Sequence, residues 1–352
     1  MSLYILLLAV SVLALLLTGV IRRYALAQSL LDMPNARSSH SVPTPRGGGV
    51  SVVVSFLLGS LVYTLVAENG MEAWCVGVLG AGVLVAAVGF LDDHGHIAAR
   101  WRLLAHFSAA GWVLYWLGGV PPLIVFGNEF DLGVMGWVLA MFYLVWLLNL
   151  YNFMDGIDGI ASIEALTVCL GAVICYLLTR EDGLVWVDIG APVMLPLLLA
   201  AAVGGFLFWN FPVAKIFMGD AGSGFIGLVL GALSIQAAWQ KPELFWCWLT
   251  LLGVFIVDAT YTLTYRLIRG DKVYEAHRSH AYQYASRQFD AHLPVTLAVG
   301  LINLAWLLPL AILVAMGGLD GMMATIIAYI PMVILAVWFK AGQPERSSVD
   351  AV

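Results

Sequence analysis

Polar side chains recur at every third position of NLYNFMDGID: Asn149, Asn152, Asp155 and Asp158. An acid pair, Asp92 and Asp93, stands in LDDHGH, and Asp220 stands between glycines in FMGDAGSG. If these segments meet, five carboxylates share one region. Two carboxylates about 4 Å apart repel by roughly 4 kcal/mol at an effective dielectric near 20. Such a group either shares protons or binds a hard cation. All-oxygen ligands favour Mg²⁺, with Mn²⁺ as a substitute, over zinc. Mg²⁺ takes one or two carboxylates and completes its shell from water and phosphate oxygens, so a phosphate-bearing substrate is expected. The Gly-rich turn around Asp220 and Gly222, feeding a helix, exposes backbone N–H groups that suit phosphate. An ordinary turn followed by close helix packing at Gly224, Gly227 and Gly231 reads equally well.

Basic groups that could meet an anion lie in two other segments. HRSHAYQ carries His277, Arg278 and His280, and the two histidines face one way if the segment is helical. PNARSSHSVPTPRGGG carries Arg37, His40 and Arg46, which suit an anionic lipid headgroup or merely mark sidedness. Asp258, in GVFIVDATYTL, is either functional or a polar packing contact. The 4 cysteines show no metal-ligand spacing and read as buried small hydrophobes.

The elements that must position these residues are membrane helices. The chain has 352 residues, of which 62% are hydrophobic and 11% charged; a soluble domain carries about 25% charged residues. A span needs about 20 apolar residues. Eleven such runs are read, near 3–21, 47–66, 73–91, 102–119, 136–152, 160–178, 190–209, 222–239, 244–266, 293–315 and 321–340. The expectation is an all-α polytopic integral membrane protein, one domain over 1–352, whose first helix is not cleaved. With the loop after the first span cytoplasmic, every Lys and Arg except Arg180 and Lys241 falls on that side. This puts the N-terminus outside and the C-terminus in the cytoplasm. The polar motifs sort to the same side, in loops near 22–46, 91–101, 152–159, 210–222 and 267–292. The exterior segment 121–133 suits a small hairpin. A secondary transporter would place ionisable groups at the bilayer midplane and show an internal repeat; the pattern fits an enzyme at the cytoplasmic face better. Nothing points to nucleic acid.

These motifs, in this order, resemble the polyprenyl-phosphate N-acetylhexosamine-1-phosphate transferases, the superfamily of MraY, WecA and TagO. The likeness covers nearly the whole chain and in form is nearest the WbpL/WbcO branch. It implies transfer of a sugar 1-phosphate from a UDP-N-acetylhexosamine (UDP-FucNAc, UDP-QuiNAc or UDP-GlcNAc) to undecaprenyl phosphate, with UMP released. It also implies Mg²⁺, the cytoplasmic face of the bacterial inner membrane, and a first step of O-antigen or other envelope polysaccharide synthesis. Dimers are known in the superfamily.

By the resemblance, Asp220 binds metal, with Asp155 expected beside it. Asp92, Asp93, Asp155, Asp158, His277 and His280 are the expected catalytic set. Asn152, Arg278, Arg46, Arg37, His40 and Gly222 are expected to bind substrate. The triple histidine of MraY is absent, which disfavours muramyl-pentapeptide transfer; the His-x-His-His form of WecA is also absent, which leaves the role of His277 open. Another Mg²⁺-dependent lipid phosphotransferase stays open as an alternative, although Asp158-Gly-Ile-Ala lacks the Arg of the CDP-alcohol enzymes. Asn149 is expected to be a buried packing group, with the helix breaking near Asp155 because Gly156 and Gly159 loosen the backbone. The site is expected in a groove near the fifth, eighth and ninth spans.

Overall fold

The computed structural model describes residues 3–34, 42–66, 71–95, 97–179, 190–211, 213–272 and 277–344. Arg37 and His40 lie outside the described residues. The elements in chain order are α1 (Leu3–Ala27), β1 (Leu31–Asp32), β2 (Thr44–Pro45), α2 (Gly49–Val66), α3 (Ala73–His94) and α4 (Ala99–Leu117). There follow β3 (Leu123–Val125), β4 (Asn128–Phe130), α5 (Gly133–Met154), α6 (Ile160–Leu178), α7 (Ala191–Asn210) and α8 (Asp220–Gln240). The last part is α9 (Pro242–Leu251), α10 (Gly253–Ile268), α11 (Ala281–Gln288), α12 (Leu293–Ile302), a π-helical turn (Asn303–Leu307), α13 (Leu308–Ala315) and α14 (Gly321–Trp338).

Among the described residues, 9 helices are long and apolar enough to cross a membrane. The count becomes 10 if α9 and α10, bent by 68° at Leu252, form one broken span. Two differences from the expected eleven have physical reasons. The ninth run is not one straight helix, and α4 falls short because its first turns are polar. Those turns carry Arg102 and His106 toward the acids rather than toward lipid.

The core is built around α8, which packs on α2, α3, α5 and α9. Its apolar length is buried on every side, the pattern of a helix surrounded by other helices. Small residues permit this closeness. A Cβ on Gly227 would stand 2.7 Å from the Leu147 carbonyl oxygen, and one on Gly231 3.0 Å from the Leu144 and Leu147 side chains. The glycines of α8 therefore do act as packing positions, as in other membrane helices.

Two small antiparallel ladders pin the loops. The 121–133 segment forms the expected hairpin, β3 with β4, turning at Phe126 and Gly127 and held by Trp246 Nε1, which donates to the Ile124 carbonyl at 2.7 Å. On the motif side, β1 pairs with β2 and leads into Arg46. The glycines after it are read by backbone: Gly48 and Gly49 donate to the Phe217 and Met218 carbonyls at 2.9 and 2.8 Å. The first loop is thereby laid against the Asp220 turn.

Candidate active site

Four helices end or begin at one place on the motif side. Asp92 and Asp93 close α3, Arg102 and His106 come from the first turns of α4, Asn149 and Asn152 from the last turns of α5, and Asp220 opens α8. Asp92, Arg102, His106, Asn149, Asn152 and Asp220 line an open cleft backed by Val85, Val88 and Leu148. The cleft thus lies among α3, α4, α5 and α8. The expected groove near the ninth span is corrected in that respect, since α10 packs on α5.

Asp220 is more open than Asp92, its side chain 39% exposed against 8%. Asn152 orients it, donating from Nδ2 to Asp220 Oδ1 at 2.9 Å and to Ser223 Oγ at 3.0 Å. Arg102 forms an ion pair with Asp92, and its Nη1 lies 3.7 Å from Asp220 Oδ2. The Asp92 and Asp220 carboxylates stand within hydrogen-bonding reach of each other. One guanidinium therefore serves two acids. Asp92 Oδ1 also accepts from the Ile97 N–H at 2.7 Å.

Asp93 diverges from Asp92, because neighbours on a helix point about 100° apart. It is buried, and its two oxygens accept from the Asp220 and Ala221 N–H groups at 3.3 and 3.4 Å. Asp93 thus supplies the N-terminal cap that Gly219, having no side chain, cannot give to α8. Gly219 is required here: its φ is +76°, and a Cβ would stand 2.7 Å from Asp93 Oδ2. Arg46 donates to the Asp93 carbonyl oxygen, which brings a second positive charge to the corner. Gly222 is corrected as a phosphate donor. Its N–H donates to the Gly219 carbonyl at 3.1 Å, and its Cα face lies against Gly49.

The 149–158 ladder splits. α5 ends at Met154 with Asp155 as its cap, as the two glycines suggested. Burial holds the Asp155 carboxyl well above the usual carboxylate range, and the charges of Asp220 and Asp93 push it the same way. Asn149 is corrected from a packing group to a cleft residue; it donates to the Val145 carbonyl at 2.7 Å and lies 3.4 Å from His106 Nδ1. Asp158 faces away from the cleft. Its Oδ2 accepts from the Ala214 N–H at 2.9 Å, and its Oδ1 lies 3.1 Å from His292 Nδ1. Asp158 staples the corner to the loop before α8 and the start of α12. Asn210 aids it, accepting from the Gly159 N–H at 2.9 Å and donating to the Ile216 carbonyl at 3.0 Å.

The histidine loop packs beside this corner. His277 is not helical with His280, but the two rings stack at 4.9 Å. His280 is corrected as a phosphate contact: it is buried, and its Nδ1 lies 3.3 Å from Asp258 Oδ1. Asp258 also accepts from the Ala281 and Tyr282 N–H groups at 2.9 and 3.0 Å, so its place is to cap α11. Tyr282 then ties α11 to α5, donating to the Phe153 carbonyl at 3.0 Å. His277 keeps the more open position; burial first, then the His280 and Arg266 charges, hold its imidazole down to about 3. Arg278 lies in the same loop, where its carbonyl accepts from Arg287.

The donor set suits a hard cation. It is all oxygen, and among the described residues Asp92, Asp93, Asp155 and Asp220 are matched by two nearby guanidinium groups, Arg46 and Arg102. Among the described residues no three of these groups converge as a ready-made cage. Mg²⁺ held here would need part of its shell from substrate phosphates. Arg102 and Asn210 were not singled out from the sequence. Arg102 and His106 left a trace, an i,i+4 pair on one face of a run entering an apolar helix.

Residues 75–238 match the model of Glycosyl transferase family 4. The chain is similar to a probable undecaprenyl-phosphate N-acetylglucosaminyl 1-phosphate transferase of Bacillus subtilis, 29% identical over 275 residues, spanning 76% of this chain and 73% of that protein. It is similar to a decaprenyl-phosphate N-acetylglucosaminephosphotransferase of Mycolicibacterium smegmatis, 35% identical over 243 residues, or 63% of this chain and 56% of that protein. A phospho-N-acetylmuramoyl-pentapeptide-transferase of Streptococcus pyogenes is 31% identical over 221 residues, 58% of this chain and 62% of that protein.

Proposed function

We propose that this chain, which belongs to the polyprenyl-phosphate N-acetylhexosamine-1-phosphate transferase superfamily, moves an N-acetylhexosamine 1-phosphate from a UDP-sugar to undecaprenyl phosphate. A lipid phosphate oxygen attacks the β-phosphorus, the bond from that phosphorus to the bridging oxygen breaks, and UMP leaves. The observation that carries the reading is the Asp92–Arg102–Asp220–Asn152 cleft at the mouth of the helix bundle. It is polar, open, and flanked by apolar helix surface, as the meeting of a soluble diphosphate with a lipid phosphate requires.

The task is charge neutralisation and alignment, because one phosphoanhydride replaces another. Asp220, with Asp155 beside it, would hold Mg²⁺ or Mn²⁺, which supplies neutralisation of the diphosphate charge. Asp92 is the group of the acid pair assigned to take the proton of the lipid phosphate or steer it, because Asp93 is committed to the α8 cap. Arg102 and Arg46 bind phosphate oxygens, and His277 with Arg278 contacts the diphosphate from the α11 side. Asn152 keeps Asp220 oriented. Asp158 and His280 act through the backbone they hold.

The finer reading follows the distribution of basic residues. Eleven crossings, with α4 and the α9–α10 pair each counted as one, put the N-terminus outside and the motif side in the cytoplasm of a bacterial inner membrane. The sugar is UDP-FucNAc, UDP-QuiNAc or UDP-GlcNAc, and the product feeds O-antigen or a related polysaccharide. The test is UMP release from a panel of UDP-N-acetylhexosamines by protein in vesicles with and without undecaprenyl phosphate and Mg²⁺. Release that needs both and is lost in Asp220→Asn is expected. No release with any donor refutes the proposal.

A further inference from the structure

Where α1 and α7 end on the motif side, two cations stand on one indole. α1 carries Arg22 in its last turns, and α7 carries Phe208 and Trp209 just before its final residue, Asn210. The Arg22 guanidinium lies over the Trp209 ring at 5.9 Å. The Lys215 ammonium lies over the same ring at 5.6 Å and over Phe208 at 5.7 Å. An indole attracts a cation, but two cations brought to one ring repel each other. Among the described residues, no carboxylate lies within ion-pairing distance of either.

The pieces are fixed to one another. Trp209 Nε1 donates to the Leu15 carbonyl at 2.9 Å, and Gly19 makes room for the ring, since a Cβ there would stand 3.1 Å from it. Arg22 Nε donates to the Lys215 carbonyl at 3.2 Å, and the Lys215 N–H donates to the Trp209 carbonyl at 2.8 Å. The Nη groups of Arg22 and the Nζ of Lys215 have no hydrogen-bond acceptor among the described residues. They are donors held in place with nothing to donate to, as an anion with several oxygens requires.

The apolar groups beside them indicate where that anion sits. Phe208 is 63% exposed and Val213 is 81% exposed. Val213 has φ +92°, which a β-branched residue adopts only when its surroundings impose it. Here the Ala214 N–H is held by Asp158 Oδ2 at 2.9 Å, and the N–H after it by Trp209. The imposed turn leaves the Val213 side chain outside, two residues from Lys215. Water offers nothing in return for exposing two large apolar groups beside two cations. A bilayer interface does: acyl chains take the apolar groups while headgroup phosphates take the charges. A soluble phosphate would use the cations and leave Phe208 and Val213 in water.

We propose that Arg22 and Lys215, set on Trp209, bind the phosphate of an anionic phospholipid, with Phe208 and Val213 seated among its acyl chains. None of these residues lines the Asp92–Asp220 cleft, and the site does not depend on the transferase reading. In the test, full-length protein in neutral detergent is titrated with dioleoyl phosphatidylglycerol or dioleoyl phosphatidylcholine, and the first lipid bound is read by native mass spectrometry. Wild type should prefer the glycerol lipid by about 10-fold, and the preference should shrink as ammonium acetate rises from about 50 to about 500 mM. Arg22→Gln with Lys215→Gln should bring the two lipids within about 2-fold of each other, since both charges are gone. Arg100→Gln removes a lone cation over Trp101 on the same side and should leave the preference as in wild type. Should the double variant not fold, Lys215→Gln alone, which keeps the carbonyl that Arg22 uses, should lower the preference about 3-fold. Equal binding of the two lipids by wild type overturns the proposal, as does a preference that survives in the double variant. Displacement of the bound lipid by inorganic phosphate at millimolar concentration also overturns it, because the site would then be one for a soluble anion.

Discussion

Replacing Arg102 by Gln tests the electrostatics of the cleft most directly. The guanidinium pairs with Asp92 and has Nη1 3.7 Å from Asp220 Oδ2. At that separation a charge pair is worth about 4 kcal/mol at an effective dielectric near 20. Arg102 and Asp220 are 37% and 39% exposed, and pairs this open to solvent retain only a fraction of that figure. A net loss of about 1–2 kcal/mol is expected without divalent cation. It comes mostly from leaving Asp92 and Asp220 facing each other without a positive charge. A bound cation should restore that charge, so the deficit should shrink by at least half in excess Mg²⁺. For the same reason Arg102→Gln should bind Mn²⁺ about 5- to 10-fold more tightly than wild type, because the cation no longer competes with a resident guanidinium. Turnover should nevertheless fall by about 10²-fold, since a phosphate donor is lost. The assays are thermal unfolding in detergent with and without Mg²⁺, and Mn²⁺ binding by paramagnetic resonance. A deficit independent of Mg²⁺, together with unchanged Mn²⁺ affinity, would refute the reasoning.

Other perturbations have equally definite signs. Asp258→Ala leaves buried donors of His280, Ala281 and Tyr282 without their acceptor and should cost about 3 kcal/mol in unfolding; Asp258→Asn, which keeps one oxygen, should cost less than half as much. Gly219→Ala should abolish turnover, because both its φ of +76° and the 2.7 Å approach to Asp93 forbid a Cβ, whereas Gly47→Ala, at φ +93° with open space around it, should cost only about 1 kcal/mol. His277 is held down to about 3 in the folded protein, against about 6.5 for the free side chain. The unfolded chain therefore binds one more proton between those values, and stability should fall by up to about 1.4 kcal/mol per pH unit as pH drops below 6.5. His277→Asn should flatten that decline between pH 6.5 and 5; parallel curves for the two proteins would assign the acid sensitivity elsewhere.

Much of the architecture was legible because a bilayer imposes one dominant pattern. Long apolar runs become helices, since lipid leaves the backbone no other partner. The hairpin at 121–133, the end of α5 at Met154, and the packing glycines of α8 were read from local chemistry that acts over a few residues. The acids, too, could be named from type and spacing, because carboxylates in an apolar chain need a reason. What the spacing could not carry was direction. Asp92 and Asp93 are neighbours in sequence, yet one faces Arg102 in the cleft and the other caps α8. Asp155 and Asp158 belong to one ladder, yet the backbone turn at the glycines sends Asp158 to His292. Likewise His280 and Asp258, 22 residues apart, become one buried pair.

The sequence by itself determined that the chain is a bundle of membrane helices with its polar chemistry gathered in the loops of one side. Solvation fixes that much: an apolar run and a charged loop each have only one comfortable environment. Only the tertiary structure decided which polar groups are free to meet a substrate and which are spent on holding helix ends. That division depends on where helices from distant segments terminate against one another. The break at Leu252 and the π-turn at Asn303 interrupt two apolar runs, and neither leaves a mark in hydropathy.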